Sequence, residues 1–165
     1  METAVINPEY LLKVARDTIN AVQYCFLITI SESGKQANAR LVQHRKPEED
    51  WTLWICTSSK SRKVKEILHE NHITVTFQDD REYAYITMLG SASVEDDLQL
   101  KQRHWQDDLI VYFPEGSTGE DYVLIKFVPS RIEIMNFAHK ITPEPYGLRP
   151  AILVRLAEDW AIANY

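Results

Sequence analysis

Residues 51–69 read WTLWICTSSKSRKVKEILH, a passage whose hydrophobic period changes halfway along. Trp51 to Thr57 is apolar, aromatic and β-branched and reads as a strand. From about Ser59 the chain reads as a helix, with Val64, Ile67 and Leu68 on one apolar face and an end near Asn71. The junction between them, Thr57 to Lys65, holds four hydroxyls (Thr57, Ser58, Ser59, Ser61) and four cations (Lys60, Arg62, Lys63, Lys65). Cations are the wrong sign there. A helix amino terminus carries partial positive charge and unpaired N–H groups, so each cation in the first turns costs a few tenths of a kcal/mol. An anion held by the N–H groups, the hydroxyls and the guanidinium removes the conflict, and a phosphate suits all three. The competing reading has Ser59 or Ser61 capping the helix and the cations in solvent.

Outward from this junction the chain is rich in strands. Upstream, Asn7 is a natural cap and Pro8 a natural first residue for a helix running to about Ile19, with Leu11, Leu12, Ala15 and Ile19 at helical spacing. YCFLITI (24–30) and ANARLVQHR (37–45) flank the turn ESGK and read as a hairpin. Within the second of these strands Arg40 stands among small and apolar residues, and such an arginine seeks an anion: either the same phosphate or a neighbouring carboxylate. Downstream, ITVTFQD and YAYITMLGSASVE read as a second hairpin whose long strand bends at Gly90. DDLQLKQRHWQDDLIVYF is helix-like, PEGSTGED breaks it, and YVLIKFVPSRIEIMNF (122–137) is a long last strand. The tail from Lys140 carries prolines at 143, 145 and 150, and AILVRLAEDW (151–160) reads as a short docking helix.

Six or so strands without regular strand-helix alternation predict a mainly β protein, an antiparallel β-barrel with peripheral helices and no open sheet edge. At 165 residues the chain fits a single domain, 1–165, with a core over about 21–137 and a tail over 140–165. Its net charge of −6 repels a polyanion, so nucleic acid is not an expected partner. No apolar run approaches the roughly 20 residues of a membrane helix and the start METAVINPEY lacks the features of a signal, which predicts a cytoplasmic protein that does not enter a membrane. Cys25 and Cys56 lie in strand-like runs and read as reduced, buried thiols. The five histidines lack a third ligand at a metal-binding spacing, and Asp79-Asp80 and Asp107-Asp108 read as solvated turn or helix-end pairs.

Arg40-Leu41-Val42, Trp54-Ile55-Cys56-Thr57, Ser61-Arg62-Lys63 and the strand bent at Gly90, in this order and spacing, resemble the FMN-binding split barrels related to pyridoxamine 5'-phosphate oxidase. The resemblance spans about Ala21 to Phe137. It is nearest to the general stress protein subgroup, which shares a tryptophan near Trp105 and a pattern like Tyr112-Phe113-Pro114-Glu115-Gly116 before Asp121-Tyr122. It implies a split β-barrel of the FMN-binding type and a homodimer with the flavin in a cleft at the subunit interface. By position, Arg40, Ser61, Arg62 and Lys63 would meet the phosphate, and Leu41, Val42 and Gln43 with Ile55, Cys56 and Thr57 would line the flavin ring, largely through the main chain. Tyr85 and Trp105 fall where flavin neighbours are expected.

Where the oxidases carry Glu-Phe-Trp this chain reads Glu133-Ile134-Met135, and 140–165 holds no Arg-x-His element to seize a substrate phosphate. Pyridoxamine 5'-phosphate oxidase activity itself is therefore not expected. What the resemblance implies is an FMN-dependent oxidoreductase serving a small-molecule electron donor or acceptor; the alternative is a flavin-binding or flavin-buffering stress protein without turnover. FAD, a deazaflavin and haem are further ligands open to the same barrel.

Overall fold

The computed structural model describes residues 6–143, 145 and 147–163. Helix α1 (Pro8–Ala21) opens as its sequence predicts: the Asn7 side chain accepts from the Tyr10 N–H at 2.8 Å, and Pro8 takes the first turn. It runs two residues past the expected end. Its buried face, Leu11, Val14, Ala15 and Ile19, joins the main core.

Strands β1 (Tyr24–Ile30) and β2 (Ala37–Gln43) form the first hairpin; β4 (His72–Asp79) and β5 (Ala84–Glu95) form the second. β3 (Leu53–Ser58) leads into α2 (Arg62–His69), so the helix starts and ends slightly inside its expected bounds. The long strand β6 (Tyr122–Asn136) pairs with β5 along one edge. Its other edge is shared: Tyr122 to Phe127 pair with β3, whereas Arg131 to Ile134 pair with β7 (Ala151–Leu156). Between these partners lies the bulge opposite Gly90, where a Cβ would stand 2.2 Å from the Val128 carbonyl oxygen.

The hydrogen-bonded order is β3-β6-β5-β4-β1-β2, and the Arg45 N–H donates to the Trp54 carbonyl at 3.1 Å to bring β2 back against β3. Six antiparallel strands thus close into a barrel, split where β6 changes partner. Leu27, Leu53, Ile55, Val75, Ile86, Met88 and Phe127 fill it. A smaller cluster of Trp54, Phe113, Tyr122 and Leu124 lies outside, beneath α3 (Leu98–Arg103) and the 3-10 turn Asp107–Val111; together these replace the single helix-like stretch read there.

Four expectations are corrected. Residues 151–160 are not a helix: β7 and β8 (Asp159–Ile162) form a hairpin turned at Ala157, whose φ is 56°, because β6 offers them an unpaired edge. β8 ends the sheet, so the barrel does leave an edge. Leu68 does not share the buried face of α2; it is 72% exposed, and Glu66 is buried beside Val64 and Ile67 instead. Asp79 is likewise buried rather than solvated, held by a two-pronged Arg81 at 2.9 Å on each oxygen. Arg81 also donates to the Ala21 carbonyl and ties the end of α1 to the barrel. Among the described residues no helix is long and apolar enough to cross a membrane.

Candidate ligand-binding cleft at the β3–α2 junction

A cleft of about 530 Å³ opens where β2 ends, β3 ends and α2 begins. The alternation of β2 decides what faces it. Asn38, Arg40 and Val42 point inward with Cys25, Leu27 and Thr29 of β1, whereas Leu41 and Gln43 point outward. Leu41, Val42 and Gln43 form one wall, and Cys56, Thr57 and Ser58 the other. Lys63 stands at the helix end, and Tyr24, Leu109, Tyr112 and Phe113 supply the apolar surface. One side is open: Leu41 is 58% exposed and Tyr112 74%.

At the helix end Ser61 occupies the cap position of α2, yet its side chain makes no capping hydrogen bond; its Oγ instead lies 3.4 Å from Thr57 Oγ1. Ser58 and Ser59 are committed elsewhere, both donating to Asp121 Oδ1, at 2.6 and 3.3 Å. The Ser58 hydrogen bond holds the Asp121 carboxyl below its ordinary range. Lys63 is half-buried, and among the described residues it forms no ion pair or side-chain hydrogen bond. Burial, and then the nearby Arg40 charge, lower its pKa. A half-buried cation beside an uncapped helix terminus is a ready anion site.

Arg40 does meet an anion, and the anion is Glu66. Its Nη2 donates to Glu66 Oε2 at 3.0 Å and its Nη1 to Thr29 Oγ1 at 2.6 Å. Thr29 in turn donates to Glu66 through a short hydrogen bond, Asn38 donates to it at 2.7 Å, and Arg62 Nε approaches at 3.4 Å. Burial strongly opposes the Glu66 charge, but the hydrogen bonds from Thr29, Arg40 and Asn38 and the Arg40 charge outweigh it and leave the carboxyl below the usual glutamate range.

The cleft floor is a polar niche. Cys56 Sγ lies 3.7 Å from Arg45 Nη2 and 3.5 Å from the Tyr122 hydroxyl. Tyr122 donates onward to the Lys101 carbonyl at 3.3 Å, and burial, then the Cys56 contact, push its pKa up, so it stays neutral. Cys25 is a separate, buried free thiol pushed up to about 12 by burial.

Of the residues singled out in the sequence, Leu41, Val42, Gln43, Cys56, Thr57 and Lys63 come together in the cleft wall. The Ile55 side chain turns into the core, and the residue is not part of the cleft lining. Arg62 points outward, 69% exposed, and Arg40 is engaged behind the wall. Trp105 packs edge-on against Tyr122 at 5.2 Å, beneath the floor. Tyr85 sits on β5 between Gln78 and Met135, outside the cleft lining. Sequence reasoning missed Glu66, Arg45 and Tyr24. The signal for Glu66 was its place three residues after Lys63, which puts both on one face of α2.

A closed six-strand barrel, split along β6 and carrying a cleft with a cation and a helix amino terminus at one end, defines a small split-barrel protein. The chain belongs to the pyridoxamine 5'-phosphate oxidase-like family, whose model matches residues 12–140. General stress protein 26 of Bacillus subtilis is 23% identical over 125 residues, covering 69% of this chain and 89% of that protein. A pyridoxamine 5'-phosphate oxidase-related, FMN binding protein from Nostoc punctiforme has the same fold over 99% of this chain and 100% of its own, at 15% identity and a TM-score of 0.72. A heme binding protein from Mycobacterium smegmatis shares it more distantly, at 16% identity and a TM-score of 0.58 over 73% of this chain and 52% of that one.

Proposed function

We propose that the chain is a flavoprotein that binds FMN in the β3–α2 cleft and acts as a flavin-dependent oxidoreductase on a small-molecule electron donor or acceptor. The observation that carries this reading is Lys63 beside the uncapped start of α2, at one end of a cleft whose other end is apolar. That order, anion site then flat apolar surface, suits a flavin phosphate and its ring. Lys63 and the first N–H groups of α2 would hold the phosphate, with the remaining donors of Arg40 and the outer Arg62 behind them. Leu41 to Gln43 and Cys56 to Thr57 would flank the ring, and Tyr24 and Tyr112 would keep water from one face. The flavin, when bound, supplies the electron-transfer chemistry. The same cation and helix terminus favour a phosphate-bearing ligand over haem.

The open side of the cleft supports a homodimer. Tyr24 and Phe26 of β1 and Leu41 of β2 are exposed on one outward face, with Phe26 directly opposite Leu41 in the register. A second copy laid on this face would cover three large apolar side chains and close the cleft. Among the described residues no side chain stands as acid, base or substrate clamp, which keeps a flavin-binding stress protein without turnover as the second reading. NADH consumption by the FMN-loaded protein, with oxygen or a quinone as acceptor, separates them. Sustained turnover supports the oxidoreductase; no reduction by NADH or NADPH overturns it in favour of the binding protein.

A further inference from the structure

The cations at the phosphate end of the cleft are unequal. Glu66 is 2% exposed and sits one turn after Lys63, receiving hydrogen bonds from Thr29, Asn38 and Arg40, with Arg62 at 3.4 Å. A carboxylate this deep is retained only where it is paired and hydrogen-bonded, and here Arg40 of β2 and Arg62 of α2 are its partners. At this end of the cleft, among the described residues, Lys63 is the cation that lines it without an ion pair; Arg45, at the floor, donates to the His104 carbonyl at 3.2 Å. Arg40 has donors to spare, because a guanidinium offers five and two are engaged, but its charge is already offset.

Resting on the flavin reading above, we propose that Glu66 is a built-in counter-anion of the ligand-phosphate site: it takes up Arg40 and Arg62, leaves Lys63 as the cation that meets the phosphate, and so limits the preference for phosphorylated over unphosphorylated flavin. The phosphate and Glu66 compete for the same guanidinium. A ligand phosphate beside Lys63 also feels the Glu66 charge directly. Glu66 is thus a selectivity-determining residue that touches no ligand, and it keeps the phosphorylated ligand exchangeable rather than locked in place.

The test compares FMN with riboflavin, which differs by the phosphate alone, in fluorescence-quench titrations of the full chain. At roughly 10 Å and an effective dielectric near 20, removing one negative charge strengthens anion binding about tenfold. Glu66→Gln should therefore raise the ratio of FMN to riboflavin affinity by about that factor while leaving riboflavin affinity in place. A purely structural role would weaken both ligands together, and an unchanged or lowered ratio overturns the proposal. Should Glu66→Gln fail to fold, two further variants decide. Lys63→Ala should lower the ratio more than about tenfold and Arg62→Ala less than about threefold, by the loss of one charge-assisted bond in the first case and of an already offset charge in the second. Equal losses in the two overturn it. If the wild type binds neither flavin, the flavin reading itself fails and takes this proposal with it; if it binds FMN with the ratio unmoved by Glu66→Gln, only the counter-anion role fails.

Discussion

Gly90→Ala tests the point at which the barrel splits. The added Cβ would stand 2.2 Å from the Val128 oxygen, 2.7 Å from Pro129 Cα and 2.9 Å from the Val128 carbonyl carbon, all backbone atoms that cannot swing aside. Relief to ordinary contact requires β5 and β6 to part by about 1 Å at the bulge, where overpacking costs about 1–3 kcal/mol and each ladder hydrogen bond lost about 1 kcal/mol more. The expected loss of stability is about 2–5 kcal/mol. Because β6 hands over from β3 to β7 beside this bulge, the shift also reaches the strand that walls the cleft. Urea unfolding of the full chain measures it by linear extrapolation, with Ser91→Ala, exposed on the same strand, as control within about 0.5 kcal/mol. A Gly90→Ala protein as stable as the control would refute the close approach of β5 and β6 and the account of the split built on it.

Other outcomes are expected at the cleft, the interface and low pH. Replacing Arg62 and Lys63 together by alanine should weaken FMN by about 2–4 kcal/mol, mostly through Lys63, since charge-assisted bonds are lost; unchanged affinity with the fold intact removes the phosphate site. Sedimentation should give a dimer for the FMN-loaded protein, and Leu41→Asp a monomer with weakened FMN; an FMN-loaded wild-type monomer contradicts the interfacial cleft. Glu66 and Asp79 both have lowered carboxyl pKa values, Asp79 chiefly through its hydrogen bonds from Arg81. A lowered folded-state value adds stability above the unfolded one, about 4.5 for Glu and 3.8 for Asp, and that stability is lost as the pH falls through the folded value. Unfolding at pH 3 against pH 7 should show this loss, and Asp79→Asn should show less of it; parallel pH profiles would rule the Asp79–Arg81 contribution out.

Much of the barrel was legible because its signals are local. The Asn7-Pro8 start, the two hairpins and the bend at Gly90 follow from capping, alternation and a residue without a Cβ, each visible within a few positions. The tail was misread for the opposite reason: 151–160 has no period that separates helix from strand, and what makes it a hairpin is the edge of β6 left bare beyond Phe127, some twenty-five residues earlier. The cleft shows the same division. Lys63 and the β2 and β3 walls follow from the junction and the family resemblance, and an arginine at position 40 rightly demanded an anion. That the anion is Glu66 depends on α2 lying across the ends of β1 and β2, a tertiary fact that the sequence hinted at only through the spacing of Lys63 and Glu66.

The most direct test of the central claim is the visible absorption spectrum of the purified protein, followed by heat release and mass identification of the chromophore, with added FMN if none is present. Flavin bands are expected, with FMN released or taken up at one per chain. A colourless protein that also fails to take up added FMN would contradict that claim and leave Lys63 and the start of α2 serving another anion.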